Sequence, residues 1–139
     1  INRLTKEGYF TEREASQVNP YIFTSFYNTK LAKEMQIAIQ NNLLYQERPF
    51  VLGIPAKEVF PQSNSEELTM VQGVIDSYFE SDGKLIIVDY KTDRASAEQL
   101  IARYSIQLKY YKRALEQITG KTVAKTVIYS TYLRKEIEV

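Results

Sequence analysis

The chain has 139 residues, an apolar fraction of 44% and a net charge of +1 from 18 basic and 17 acidic residues. That length suits one domain over residues 1–139, large enough to bury a real core, and the near-neutral charge leaves any nucleic-acid contact to a local patch. With no cysteine and no histidine, the chain can build no disulfide, zinc–thiolate site, iron–sulfur cluster, histidine-bound metal or Ser-His-Asp triad of its own.

Residues 1–18 are helix-prone, and Thr11-Glu12-Arg13-Glu14 fits a capping box. Asn19-Pro20 then offers a cap followed by proline at the first helical position. The spacing of Phe23, Phe26, Tyr27, Leu31, Met35, Ala38 and Ile39 predicts a helix to about Leu44, with Asn28-Thr29 as a point where it breaks and is capped again. Gln46 to Pro55 predicts a strand, in which Pro49 suggests an edge or an irregular start. Residues 56–67 predict a loop. Val71 to Lys91 predicts a hairpin around Asp82-Gly83. Ser96-Ala97-Glu98-Gln99 is a second capping box, opening a helix to about Thr119 that Gly120 stops. Its inward stripe reads Leu100, Tyr104, Gln107 or Leu108, Tyr111, Leu115 and Ile118. Val123 to Tyr132 predicts the last main strand, and Lys135 to Val139 a short one. Strands flanked by long helices imply a mixed α/β sheet with helices packed on it. No apolar run approaches the ~18 residues of a membrane span, so no membrane partner is expected. The sequence begins at Ile1 rather than Met, and the expectation is an excised piece of a longer chain.

The acidic chemistry gathers on the hairpin. If Asp82-Gly83 forms a two-residue loop, Ser81 faces Lys84 and Asp76 faces Asp89, while Lys91 shares the face of Asp89. Two carboxylates across a ladder sit ~5 Å apart and repel unless a cation intervenes. Asp89 follows the apolar run Leu85-Ile86-Ile87-Val88, and Asp76 follows Gly73-Val74-Ile75, so both acids end buried strands where an unpartnered charge is costly. Two carboxylates and a lysine on one face suggest a divalent-metal site. Gly73 allows either a close backbone approach or a bulge. Lys91 either simply pairs with Asp89 or offsets charge on a phosphoryl oxygen and holds the attacking water. Gln107 and Tyr111 share a helix face; the glutamine either bonds to the site or a phosphate, or lies exposed at the edge of the stripe. Gly120-Lys121-Thr122 resembles the end of a P-loop, but Leu115 stands where that loop needs glycine and the segment closes a helix, so no ATP is expected on this chain. Arg103, Lys109, Lys112 and Arg113 read as a solvated helix face in preference to a DNA-lining one.

Taken in order, Gly73-Val74-Ile75-Asp76, Asp89-Tyr90-Lys91-Thr92 and Gln107-Leu108-Lys109-Tyr110-Tyr111 resemble the motifs of RecB-family nucleases of the PD-(D/E)XK superfamily. Glu47-Arg48-Pro49-Phe50 is similar to that family's E-x-P-F strand, and Phe26 to Lys33 to the segment before it. The resemblance covers nearly the whole chain and is nearest to the C-terminal nuclease domains of helicase–nucleases of the AddA/RexA type. It implies a restriction-endonuclease-like fold and Mg2+- or Mn2+-dependent hydrolysis of DNA by an exonuclease. It also implies a role in bacterial double-strand break repair and recombination, and a cytoplasmic setting beside a second subunit of the AddB/RexB type. It implies Asp76, Asp89 and the Tyr90 backbone carbonyl as metal ligands, Lys91 as the catalytic lysine, Glu47 as a further acid near the metal, and Gln107 and Tyr111 as supports for the site and the DNA. The family also carries a metal-binding histidine on an N-terminal helix. This chain has no histidine, and the expectation is that it begins downstream of that helix. The competing expectation is an inactive nuclease-like domain that binds DNA or braces a partner; the intact Asp-x-Lys weighs against it.

Overall fold

The computed structural model describes residues 26–139. The expected first helix, its Thr11 capping box and the Asn19-Pro20 cap lie outside the described residues. Five strands form one sheet in the order β1 (Leu44–Pro55), β2 (Leu68–Ser81), β3 (Lys84–Lys91), β4 (Val123–Ser130) and β5 (Lys135–Glu138). All neighbours pair antiparallel except β3 and β4, which run parallel. A parallel pair needs a long crossover, and helix α3 (Ala97–Thr119) supplies it. Helix α1 (Lys30–Gln40) precedes β1, and a single turn, α2 (Ala56–Val59), follows it. That turn lies inside the segment expected to be loop.

The helix boundaries follow capping chemistry. Thr29 caps α1 by accepting from the Ala32 N–H, as the break at Asn28-Thr29 predicts. The helix stops earlier than expected, at Gln40. Asn42 adopts a left-handed backbone (φ 57°) and Leu43 N–H returns to the Ala38 carbonyl at 2.8 Å. Asparagine tolerates that conformation better than most residues. Helix α3 has the expected reciprocal box between Ser96 and Gln99 and ends on Gly120 with φ 70°.

The sheet separates two cores. On one face α3 covers Phe50, Leu52, Ile75, Leu85, Ile87 and Ile128 with its own Leu100, Leu108, Tyr111, Ala114 and Leu115. On the other, α1 brings Leu31, Met35 and Ala38 against Phe79, Ile86, Val88 and Val127. Strand β3 is therefore apolar on both sides, as a strand buried on both faces must be. Three stripe positions differ from expectation: Ile118 is 66% exposed, Tyr27 62% and Ile39 55%. Ile39 and Ile118 lie near the ends of their helices, and Tyr27 lies before α1 begins. As Pro49 suggests, β1 is an edge strand.

Candidate active site

The hairpin turn forms as its sequence predicts. Asp82 and Gly83 both have positive φ, 53° and 74°, as a type I′ loop requires. The pairs run Ser81–Lys84, Glu80–Leu85, Phe79–Ile86, Tyr78–Ile87 and Ser77–Val88. Regular pairing stops there, one residue short of Asp76 and Asp89. The strands part at the acids, and a side chain takes over from the ladder: the Tyr90 N–H donates to Asp76 Oδ2 at 3.1 Å. Below it the Ser77 hydroxyl donates to the Val88 carbonyl at 3.1 Å.

A second irregularity sits at the same level. Strands β1 and β2 keep one register from Leu44–Phe79 to Pro55–Leu68, yet both change face midway. Tyr45 stacks on Tyr78 at 4.9 Å, and Tyr78 packs on the α3 core. Farther along it is Phe50 and Leu52, and opposite them Ile75, that point into that core. The alternation therefore slips by one residue in each strand. Glu47 marks the slip in β1 with φ 50°. In β2 the slip falls between Ile75 and Tyr78, at Asp76. Pro49, two residues on from Glu47, signals the irregularity in β1, whereas no glycine, proline or turn motif stands at Asp76 to announce the slip in β2.

Asp89, Lys91 and Asp76 meet on the α3 face. Asp89 is 2% exposed. Lys91 Nζ stands 3.0 Å from Asp89 Oδ2 but off hydrogen-bond geometry, which leaves that buried oxygen with a charge contact and no hydrogen bond. The Asp76 carboxyl is close enough to act on the Asp89 proton. Burial, reinforced by Asp76, pushes the Asp89 carboxyl from 3.8 up to about 6, against the pull of Lys91. Desolvation thus outweighs a direct ion pair, as it does for acids held in poorly solvated sites. Burial works against the Lys91 charge, but the Asp89 carboxylate more than offsets it and the ammonium titrates above its ordinary range.

Helix α3 closes the site from above. Tyr111 is buried, and burial raises its hydroxyl; the charges of Asp89, Lys91 and Asp76 all reach it. Its ring meets Phe50 edge-to-face at 5.4 Å. Gly73 makes room for that pair: a Cβ there would stand 3.0 Å from Phe50 Cε1 and 3.4 Å from Tyr111 Cε1. Of the two readings of Gly73, close approach is the one realised. Gln107 is exposed and Leu108 takes the core position. Gln107 joins Gly73, Gln72, Arg103 and Tyr111 in lining a cleft of about 360 Å3 between β2 and α3.

Other groups reach the site from parts of the sequence that carry no motif. The Lys91 ammonium lies 4.1 Å from the centre of the Tyr104 ring. The Tyr104 hydroxyl donates to Asp93 Oδ2 at 2.7 Å, and Arg103 donates to the same oxygen at 3.1 Å. Of the basic residues on α3, Arg103 is thereby engaged with Asp93, and Arg113 with Glu58 at 2.6 Å. Among the described residues, no three acidic side chains gather closely enough to hold an ion by themselves. Glu47 therefore does not complete a set with Asp76 and Asp89. The donors present still fit a hard divalent cation in kind: two carboxylates, one with a buried oxygen free of hydrogen bonds.

A mixed sheet that carries paired acids and a lysine where two strands part, under a crossover helix, defines a class of nuclease. A profile of the PD-(D/E)XK nuclease superfamily matches residues 2–138, and the chain belongs to that superfamily. Its five-stranded mixed sheet with flanking helices is the restriction-endonuclease-like α/β fold. Over its whole length it is 33% identical to the A subunit of an ATP-dependent helicase/nuclease from Lachnoclostridium phytofermentans, of which it covers 13%. It is 39% identical over 93% of its length to the corresponding protein of Clostridium botulinum strain 657, covering 10% of it. A third, from Clostridium botulinum strain Alaska E43, is 37% identical over 99% of this chain. The chain thus spans about a tenth of the length of these relatives. Among the described residues no helix is long and apolar enough to cross a membrane.

Proposed function

We propose that residues 1–139 form the nuclease domain of an ATP-dependent helicase–nuclease, hydrolysing DNA phosphodiester bonds as an exonuclease in double-strand break repair and recombination. The observation that carries the reading is the convergence of Asp76, Asp89 and Lys91 on one face, with Asp89 Oδ2 buried and free of hydrogen bonds. Asp76, Asp89 and the Tyr90 carbonyl would hold Mg2+ or Mn2+. The chemistry such an ion would supply, held by these residues, is polarisation of a phosphoryl oxygen and a lowered pKa for a bound water. The chain's own part is positional and electrostatic. Asp76 accepts from the Tyr90 N–H, which orients both its carboxylate and the Tyr90 peptide. Lys91 presents a cation beside Asp89, where negative charge grows as water attacks phosphorus and the bond to the leaving sugar oxygen breaks. Tyr111 and the burial around it exclude water from the acids. Gln107 and Arg103 line the adjoining cleft, the path for the DNA backbone. The relatives are each named as one subunit of a larger enzyme, which supports a second subunit of the AddB/RexB type as partner, in the cytoplasm.

The test is Asp89→Ala and Lys91→Ala in the complete helicase–nuclease polypeptide. Each is expected to lower cleavage by ~100-fold or more and to leave DNA-stimulated ATP hydrolysis intact. Undiminished cleavage in either variant overturns the assignment.

A further inference from the structure

Lysine is a flexible four-carbon arm carrying a point charge, and a salt bridge at 3.0 Å that lacks hydrogen-bond geometry does little to fix where that charge sits. The structure holds it by other means. The Tyr104 ring covers the Lys91 ammonium at 4.1 Å, within the range of cation–π attraction. The ring is itself pinned, because its hydroxyl donates to Asp93 Oδ2 at 2.7 Å. Asp93 stands two residues after Lys91, on the connection from β3 to α3. Strand, connector and helix therefore close a loop of contacts through Lys91, Asp93 and Tyr104.

We infer that Asp93 and Tyr104 form a clamp that fixes the Lys91 ammonium beside Asp89, which makes both of them positioning residues of the nuclease. The inference rests on the reading of Lys91 given above. Two alternatives for Tyr104 fail on the geometry. Its hydroxyl proton is committed to Asp93, so it is no free acid. Its ring faces Lys91, so it is no mere filler of the α3 core. The Arg103 contact to Asp93 is more exposed, with 51% of the arginine side chain accessible, and serves as a lesser brace.

Two readouts test the clamp. In the NMR spectrum of the chain with labelled lysine, the ring current of Tyr104 shifts the Lys91 ε-methylene signals upfield. Tyr104→Phe, which keeps the ring and loses its hydrogen bond to Asp93, is expected to weaken that shift and Tyr104→Leu to abolish it. In the complete polypeptide, Tyr104→Leu lowers kcat for DNA cleavage about tenfold with KM nearly unchanged, as expected when ground-state binding is untouched. Tyr104→Phe, which keeps the ring but not its hydrogen bond to Asp93, recovers part of the loss. The clamp is overturned if Tyr104→Leu leaves the Lys91 signals in place, or if the Leu and Phe variants lose activity equally. Asp93→Ala, which removes the acceptor and leaves the core untouched, carries the test should Tyr104→Leu fail to fold: a weakened ring-current shift supports the clamp and an unchanged one overturns it. Undiminished cleavage by Lys91→Ala removes the nuclease reading but leaves the ring-current result standing. Loss of the shift without any change in kcat removes the clamp alone.

Discussion

The two ends of the β2–β3 hairpin obey different rules. At the turn end, Asp82 and Gly83 adopt the positive φ that a tight loop demands, and pairing is regular from Ser81–Lys84 to Ser77–Val88. At the acid end the ladder stops, a carboxylate accepts the next N–H, and the facing β1–β2 pair changes face at the same level. The turn end is held by local backbone preference and would form in almost any context. The acid end is held by its surroundings: a helix overhead, a third strand alongside, and a lysine beside a buried carboxylate. Regular pairing is the low-energy default, and departures from it persist where the rest of the structure over-determines them.

The largest expected effect at the acid end is on pH dependence. The folded chain holds the Asp89 proton up to about 6, against 3.8 for an ordinary aspartate. Between those values the unfolded chain releases a proton that the fold retains, so stability falls as pH rises through the window and levels off above it. The size is roughly 3 kcal/mol at most. Urea unfolding in chelator should show wild type losing stability relative to Asp89→Asn by that order from about pH 4 to above pH 6. A pH-independent difference would place Asp89 in water.

Next comes Gly73→Ala, which forces a methyl against the Phe50 and Tyr111 rings. Overpacking of this kind costs ~1–3 kcal/mol, and the displaced Tyr111 should lower cleavage as well; thermal melts and single-turnover assays together check it. At the turn end, Gly83→Ala meets no neighbour within 4 Å and suffers only from its left-handed backbone, at ~1–2 kcal/mol. Its cleavage rate under stabilising conditions should equal wild type, which separates the two ends. The smallest effect is expected from Arg113→Ala, which removes a surface ion pair to Glu58 worth ~0–1 kcal/mol.

Much of the site was legible because it depends on short-range spacing. Turn chemistry at Asp82-Gly83 sets the register, and register sets which residues share a face; Asp76, Asp89 and Lys91 follow from counting. The helix over Ala97–Thr119 was legible from its caps, as was the α1 cap at Thr29. The Phe50–Tyr111 contact over Gly73 was half legible, since a glycine in a strand signals either of two things. Pro49 hinted at the irregularity near Glu47, but the face change at Asp76 was not legible, nor was the ring of Tyr104 over Lys91. Glu47 has the motif residue expected of a metal acid, yet it does not complete a cluster with Asp76 and Asp89.

By itself, then, the sequence determined the elements, the edge position of β1 and the alignment of two acids and a lysine, because those rest on backbone preferences and on a side-chain period of two residues. Tertiary structure alone decided how far Asp89 is buried, where the strands part, and which helix residue stands over the lysine. Those depend on the parallel crossover that lays α3 across the sheet, and that packing couples residues too far apart in sequence for any local pattern to report.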